Sequence, residues 1–136
     1  DALARTCDAA RALAGQKRVI VVFGAGGGAD PEKREPMGRA VGQRADVAIV
    51  TNDNPRREDP RFIAKAVARG AERGGRAYVL TELDRRAAIR QALERSKPGD
   101  VVVVAGKGHE RGQTVGDETL PFSDVDEVAM LLGGST

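Results

Sequence analysis

Two short stretches of this sequence gather side chains able to grip a small charged molecule. One is Thr51-Asn52-Asp53-Asn54-Pro55-Arg56, followed by Arg57-Glu58-Asp59-Pro60; the other is Gly106-Lys107-Gly108-His109-Glu110. Arg56 offers a guanidinium that holds a carboxylate through two parallel hydrogen bonds. Asp53 and Glu110 favour an ammonium, Asn54 can serve either group, and Gly106 exposes backbone N–H and C=O without a side chain in the way. Together these groups complement an α-amino acid zwitterion. A plainer reading uses the same residues: Asp53 and Asn54 before Pro55 form Asx-turns, and Arg56 is a solvated surface charge. The residues alone leave both open.

Other chemistries fit less well. Gly24-Ala25-Gly26-Gly27-Gly28-Ala29 has the form G-x-G-x-x-A of a dinucleotide fingerprint. That fingerprint needs a helix opening inside the glycines, so that its N-terminus meets the pyrophosphate, and Asp30-Pro31 and Pro36 push the helix start later. A tight turn with positive φ angles or a substrate-facing loop are the alternatives. Gly106-Lys107 is no P-loop, because Val101 stands where the first glycine is required and Gly108 replaces the Ser/Thr. His109 is the single histidine, no Cys/His group has metal-ligand spacing, and no nucleophile–histidine set can be assembled. The expectation is a binding domain with no catalytic residue and no metal of its own.

The two polar stretches follow apolar runs that read as buried strands, 46–50 and 101–105. A third, Val19-Ile20-Val21-Val22-Phe23, precedes the glycine cluster. Helices are expected between them. Residues 1–14 place Leu3, Cys7, Ala10 and Leu13 on one face, and 34–44 turn Met37, Ala40 and Val41 inward. Asp59-Pro60 caps a helix through Ala71 that buries Phe62, Ile63, Ala66 and Val67. Asp84 or Thr81 caps 84–96 with Ile89 and Leu93 inward. Residues 76–80 read as a short strand, 106–120 as a hairpin or a loose loop, and Ser123 or Asp124 as the cap of a last helix carrying Val125, Val128, Leu131 and Leu132. Continuous apolar strands alternating with helices predict an α/β, Rossmann-like three-layer domain with a mainly parallel sheet covered on both faces. In such sheets ligands bind at the carboxyl ends of the strands.

Composition bounds the rest. The 136 residues form one domain, with no linker or repeat, and bury roughly two-thirds of their unfolded surface. Aromatics are 3%, without Trp and with one Tyr, so stacking platforms for bases are scarce. The 22 basic and 20 acidic side chains are interspersed, which gives no basic stripe for a nucleic acid. One cysteine excludes an internal disulfide, and no run of ~18 apolar residues suggests a membrane span. The reading is cytoplasmic, without nucleic-acid or membrane partners.

Asp53-Asn54-Pro55-Arg56 together with Gly106-Lys107-Gly108-His109-Glu110 resembles the Mur ligase family, and the likeness extends along the chain. Asp1-Ala2-Leu3 looks like the opening of that family's C-terminal domain, and Pro121-Phe122-Ser123-Asp124 like its closing motif. The resemblance implies an amino-acid-binding domain over 1–136. The UDP-binding and central ATPase domains that precede it in the family lie outside this chain, and they would bind ATP, Mg2+ and UDP-MurNAc-L-Ala-D-Glu. In the family the Asp-Asn-Pro-Arg tetrapeptide marks members that add meso-diaminopimelate rather than lysine during peptidoglycan precursor synthesis. Carried over, a buried Arg56 pairs with the distal carboxylate, Asp53, Asn54 and Pro55 lie beside it, and Gly106 and Glu110 hold the ammonium end.

One loop departs from the family pattern. Where it usually reads Gly-Gly-Asp-Arg-Asp, with the arginine on the same carboxylate, this chain has Gly26-Gly27-Gly28-Ala29-Asp30. Affinity falls, Lys33 or Arg34 substitutes, or the amino acid differs. The alternatives are therefore a ligase domain of this type with another amino-acid or peptide substrate, a free-standing α/β ligand-binding module, and, last, a dinucleotide-binding enzyme.

Overall fold

Three runs of β-branched residues form the centre of a five-stranded sheet. The structure, a computed structural model, describes residues 2–27, 30–53 and 55–105, with the backbone of three further strands at 112–115, 118–121 and 128–132. The elements in chain order are α1 (Ala2–Ala14), β1 (Val19–Phe23), a 3-10 turn (Pro31–Lys33), α2 (Arg34–Arg44), β2 (Val47–Val50), α3 (Pro60–Gly74) and β3 (Tyr78–Thr81). After these come α4 (Arg85–Arg95), β4 (Val101–Ala105), β5 (Gly112–Val115), β6 (Glu118–Pro121) and β7 (Val128–Leu132). The sheet order is β3-β2-β1-β4-β7. Its first four strands are parallel, with Val21 paired to Ala48 on one side and Val103 on the other.

Every residue of β1 and β4 is buried, because helices cover both faces. Val19, Val21 and Phe23 pack with Cys7 and Ala10 of α1, Val41 of α2 and Val67 of α3. Ile20 and Val22 turn the other way, onto Ala88, Ile89 and Ala92 of α4. This is the expected three-layer, mainly parallel architecture. Burial pushes the Cys7 thiol up to about 11, so it acts as a small core apolar group.

The end of the chain corrects one expectation. Residues 128–132 form β7, antiparallel to β4 with Val103 opposite Met130, rather than part of a last helix. A five-residue apolar run fits a buried strand as well as a helical face, and β4 would otherwise leave a row of unpaired N–H and C=O groups. Between them β5 and β6 pair as the hairpin that was one of two alternatives for this segment. The proposed caps Ser123 and Asp124 lie outside the described residues.

Three side chains expected inside are exposed: Leu13 at 63%, Phe62 at 67% and Leu93 at 44%. Small residues set the helix faces instead. The inward face of α3 is Ile63, Ala64, Val67, Gly70 and Ala71, and that of α2 is Arg34, Gly38, Val41 and Gly42. A Cβ on Gly38 or Gly42 would overlap the carbonyl of Val67 or Ala71, and one on Gly70 the carbonyl of Glu35. The two helices thus meet backbone to backbone, and bulky side chains are turned away from the contact.

At the amino ends of the strands two carboxylates lock the sheet. Asp46 accepts from the Val19 N–H at 2.8 Å, from Arg11 at 2.6 Å and from Arg76 at 3.0 Å. Asp100, 2% exposed, accepts from the N–H groups of Arg18 and Lys97, both at 2.9 Å, and from the Arg18 guanidinium at 3.0 Å. The opposite, carboxyl ends are left for the polar loops.

Candidate functional site

The chain leaves β1 for β2 and β3 on one side, then crosses to β4 on the other. The strand order therefore reverses at β1, and sheets of this kind bind ligands outside the carboxyl ends of their strands at such a point. The described residues at these ends belong to the loops after β1 (24–27 and 30) and β2 (51–53 and 55–59); those after β4, from 106, lie outside the described residues.

The first two loops touch through backbone. The Thr51 N–H bonds the Phe23 carbonyl at 2.8 Å, extending the ladder past β2. A Cβ on Gly24 would strike the Thr51 carbonyl, and one on Gly27 the carbonyl of Pro55. Glycine at 24 and 27 is thus required by close approach, which explains part of the glycine cluster without a nucleotide. Asp30 caps the 3-10 turn by accepting from the Glu32 N–H at 3.0 Å, and α2 opens only at Arg34. Among the described residues of the glycine loop no helix begins, so the dinucleotide reading loses its geometry.

The loop after β2 bends at Asp53 and turns at 55–58, where the Glu58 N–H bonds the Pro55 carbonyl at 3.0 Å. Inside that turn Arg56 has φ 58°, the left-handed region that a side chain such as arginine seldom enters. Arg56 is exposed and makes no hydrogen bond or ion pair with the described residues, which corrects the expectation of a buried guanidinium. Asp53 and Pro55 are half-buried beside it. Asp59 then ends the loop by capping α3, and the Arg61 N–H and guanidinium hold its carboxyl below the usual range.

Two arginines not given site roles by their own spacing tie these loops down. Arg34, 2% exposed, donates from Nη2 to both carboxylate oxygens of Glu58, at 3.0 and 2.8 Å. It is therefore engaged behind the turn, whereas Lys33 is exposed. Arg85, the first residue of α4, donates to the Ala105 carbonyl at 2.6 Å and the Asn52 carbonyl at 3.3 Å. Ala105 is the last residue of β4 and Asn52 follows β2, so one side chain joins the starts of both polar loops. The signal for it was local: a cation in the first turn of a helix opposes the helix dipole.

Of the expected site residues, the structure brings Asp53, Pro55 and Arg56 to the carboxyl end of β2, against the glycine loop. Asn54, Gly106 and Glu110 lie outside the described residues, as do Lys107, His109, Gly28 and Ala29. Among the described residues no group of three or more His, Cys, Asp or Glu side chains converges as a metal site. Among them also, no helix is long and apolar enough to cross a membrane.

Comparison with known proteins agrees with this fold. Residues 1–108 match the family model "Mur ligase, glutamate ligase domain". The chain is 47% identical to the UDP-N-acetylmuramoyl-L-alanyl-D-glutamate--2,6-diaminopimelate ligase of Lawsonia intracellularis, over 98% of this chain and 27% of that protein. It is 50% identical to the ligase of the same name from Rhizobium meliloti, over 98% of this chain and 26% of that protein. A solved structure of a ligase with this name superposes with a TM-score of 0.71 at 36% identity, covering 92% of this chain and 25% of the other. The chain spans about a quarter of the length of these relatives.

Proposed function

The chain belongs to the Mur ligase family, and from that membership we propose that it is the amino-acid-binding, C-terminal lobe of an ATP-dependent ligase. The ligase adds meso-diaminopimelate to UDP-MurNAc-L-Ala-D-Glu in peptidoglycan precursor synthesis, a cytoplasmic reaction. The relatives' names supply the substrate class. The observation that carries the reading in this chain is Arg56, exposed at the carboxyl end of β2 from a turn braced on both sides.

In this reading Arg56 receives the carboxylate on the distal stereocentre of diaminopimelate through a bidentate pair. Asp53 and Asn54 lie beside that carboxylate's stereocentre, and Gly106 and Glu110 take the ammonium. Lysine has no distal carboxylate and leaves the guanidinium without its partner, so such a site discriminates strongly. The lobe's part in the reaction is to orient the incoming amine; it contributes no proton carrier of its own.

ATP and Mg2+ are assigned to the preceding domains. The loop after β1 does not open a helix at its glycines, and the Gly106-Lys107 stretch departs from the P-loop pattern, so the residues present do not fit a nucleotide phosphate site. A second reading, a related ligase acting on another amino acid or a peptide, is favoured by Gly28 and Ala29 at the positions where the family carries an acid and an arginine.

The test is ATP-dependent ligation by the full ligase across a panel of amino acids. Diaminopimelate is expected to be added and lysine to be poor. Arg56→Ala is expected to lower kcat/KM for diaminopimelate by about 10- to 150-fold, the loss of one charged hydrogen-bonding partner. Lysine added as readily as diaminopimelate by the wild-type enzyme sinks the assignment of Arg56.

A further inference from the structure

We infer that Arg34 and Glu58 are a positioning pair for Arg56: they hold the turn in which Arg56 adopts its left-handed backbone, and substrate affinity depends on them although neither touches substrate. This rests on the reading of Arg56 as the carboxylate ligand.

A left-handed φ at a non-glycine residue costs free energy and persists only where the surroundings determine it from several directions. Nothing in arginine favours φ 58°. The turn is determined at both ends. Its first residue, Pro55, lies against Gly27, where no side chain fits. Its last residue, Glu58, is gripped at both carboxylate oxygens by Arg34 Nη2. The Glu58 N–H closes the turn onto the Pro55 carbonyl, so fixing the Glu58 side chain also fixes the backbone around Arg56.

The burial of Arg34 makes this grip one-directional. Its side chain is 3% exposed and that of Glu58 34%, and Arg34 Nε has no hydrogen-bond partner among the described residues. A buried guanidinium needs its carboxylate far more than a half-exposed carboxylate needs a guanidinium. Arg34 sits at the start of α2, itself locked to α3 through the glycine contact, and is therefore the fixed point to which the turn is drawn. The same burial removes Arg34 as a replacement for the arginine that the glycine loop lacks. It supports the ligand-bearing turn from behind instead of joining it.

The experiment measures kcat and KM of the full ligase for diaminopimelate, ATP and the nucleotide-linked dipeptide, in wild type, Glu58→Gln, Arg34→Lys and Arg56→Ala, and in Glu58→Gln combined with Arg56→Ala. Glu58→Gln is expected to raise KM for diaminopimelate about tenfold, with the rise confined to that substrate. Combined with Arg56→Ala it is expected to add less than about twofold, since residues acting through one another are non-additive. An unchanged diaminopimelate KM in Glu58→Gln, an equal rise for all three substrates, or a full tenfold effect on top of Arg56→Ala overturns the pair. If Arg34→Lys fails to fold, Glu58→Gln, at a half-exposed position, decides alone. A wild-type enzyme that adds no diaminopimelate refutes the functional reading itself. Addition that depends on Arg56 but not on Glu58 refutes only this inference.

Discussion

Gly27 lies so close to Pro55 that a single added carbon would occupy the space of the Pro55 carbonyl oxygen. The glycine loop after β1 and the arginine-bearing turn after β2 are therefore one packed unit. Gly27→Ala has to push the turn outward and is expected to weaken diaminopimelate binding by about tenfold or more. It also overpacks a buried contact, a typical cost of about 1–3 kcal/mol to the fold, so the melting temperature should fall by several degrees. An unchanged KM for diaminopimelate would show that Arg56 does not depend on this contact.

The strands and their order of appearance were legible because β1, β2 and β4 are continuous apolar runs, a pattern that survives folding unaltered. Asp59-Pro60 and Asp84 were legible for a local reason, since a cap acts within three residues. Helix faces were less so. Leu13, Phe62 and Leu93 satisfy helical spacing, but sequence does not state how near two helices approach, and here glycine and alanine decide that. The turn residues Asp53, Pro55 and Arg56 were found by type. The exposure of Arg56, its left-handed backbone and the Arg34–Glu58 pair depend on a contact between residues 24 apart in sequence, which no local pattern encodes.

Helix propensity and packing make opposite predictions at Gly42. Glycine to alanine in an exposed helix gains about 1 kcal/mol. In α2, a Cβ at position 42 would overlap the Ala71 carbonyl of α3, so Gly42→Ala is expected to destabilise the domain by about 1–3 kcal/mol. Urea denaturation followed by circular dichroism measures the sign directly. A higher midpoint would mean that α2 and α3 separate without cost.

Acid should weaken the fold through Asp100 and Asp46. Burial alone would raise the Asp100 carboxyl, but the N–H groups of Arg18 and Lys97 and the Arg18 guanidinium outweigh it and hold it below 3.8. At Asp46 burial is likewise outweighed, by the Val19 N–H and by Arg11 and Arg76. A carboxyl whose folded value is depressed binds its proton more weakly when folded. Its stabilisation is complete above the unfolded value near 3.8 and is lost as pH falls through the lower folded value. Unfolding free energy should therefore be level from neutrality to about pH 5 and fall below about pH 4. Asp100→Asn should cost about 2–3 kcal/mol at neutral pH and flatten the acid limb. An acid limb as steep as that of wild type would assign the loss to other groups.

Arg85 is badly placed by local rules, since a cation in the first turn of α4 opposes the helix dipole by a few tenths of a kcal/mol. On propensity alone, Arg85→Gln is neutral or mildly stabilising. The tertiary role reverses that sign. Arg85 holds the carbonyls of Ala105 and Asn52, and its removal releases the carboxyl end of β4 and the residues just after β2. Losing charged hydrogen bonds to two carbonyls is expected to cost about 1.5–3 kcal/mol of stability, the lower end if water reaches the freed oxygens. It should also speed amide hydrogen exchange at 51–53 and at Ala105, while β1 stays protected. Because the tie spans both loops, KM for diaminopimelate should rise more than KM for ATP. Faster exchange at only one of the two sites would show that Arg85 anchors that strand end alone and does not tie β2 to β4.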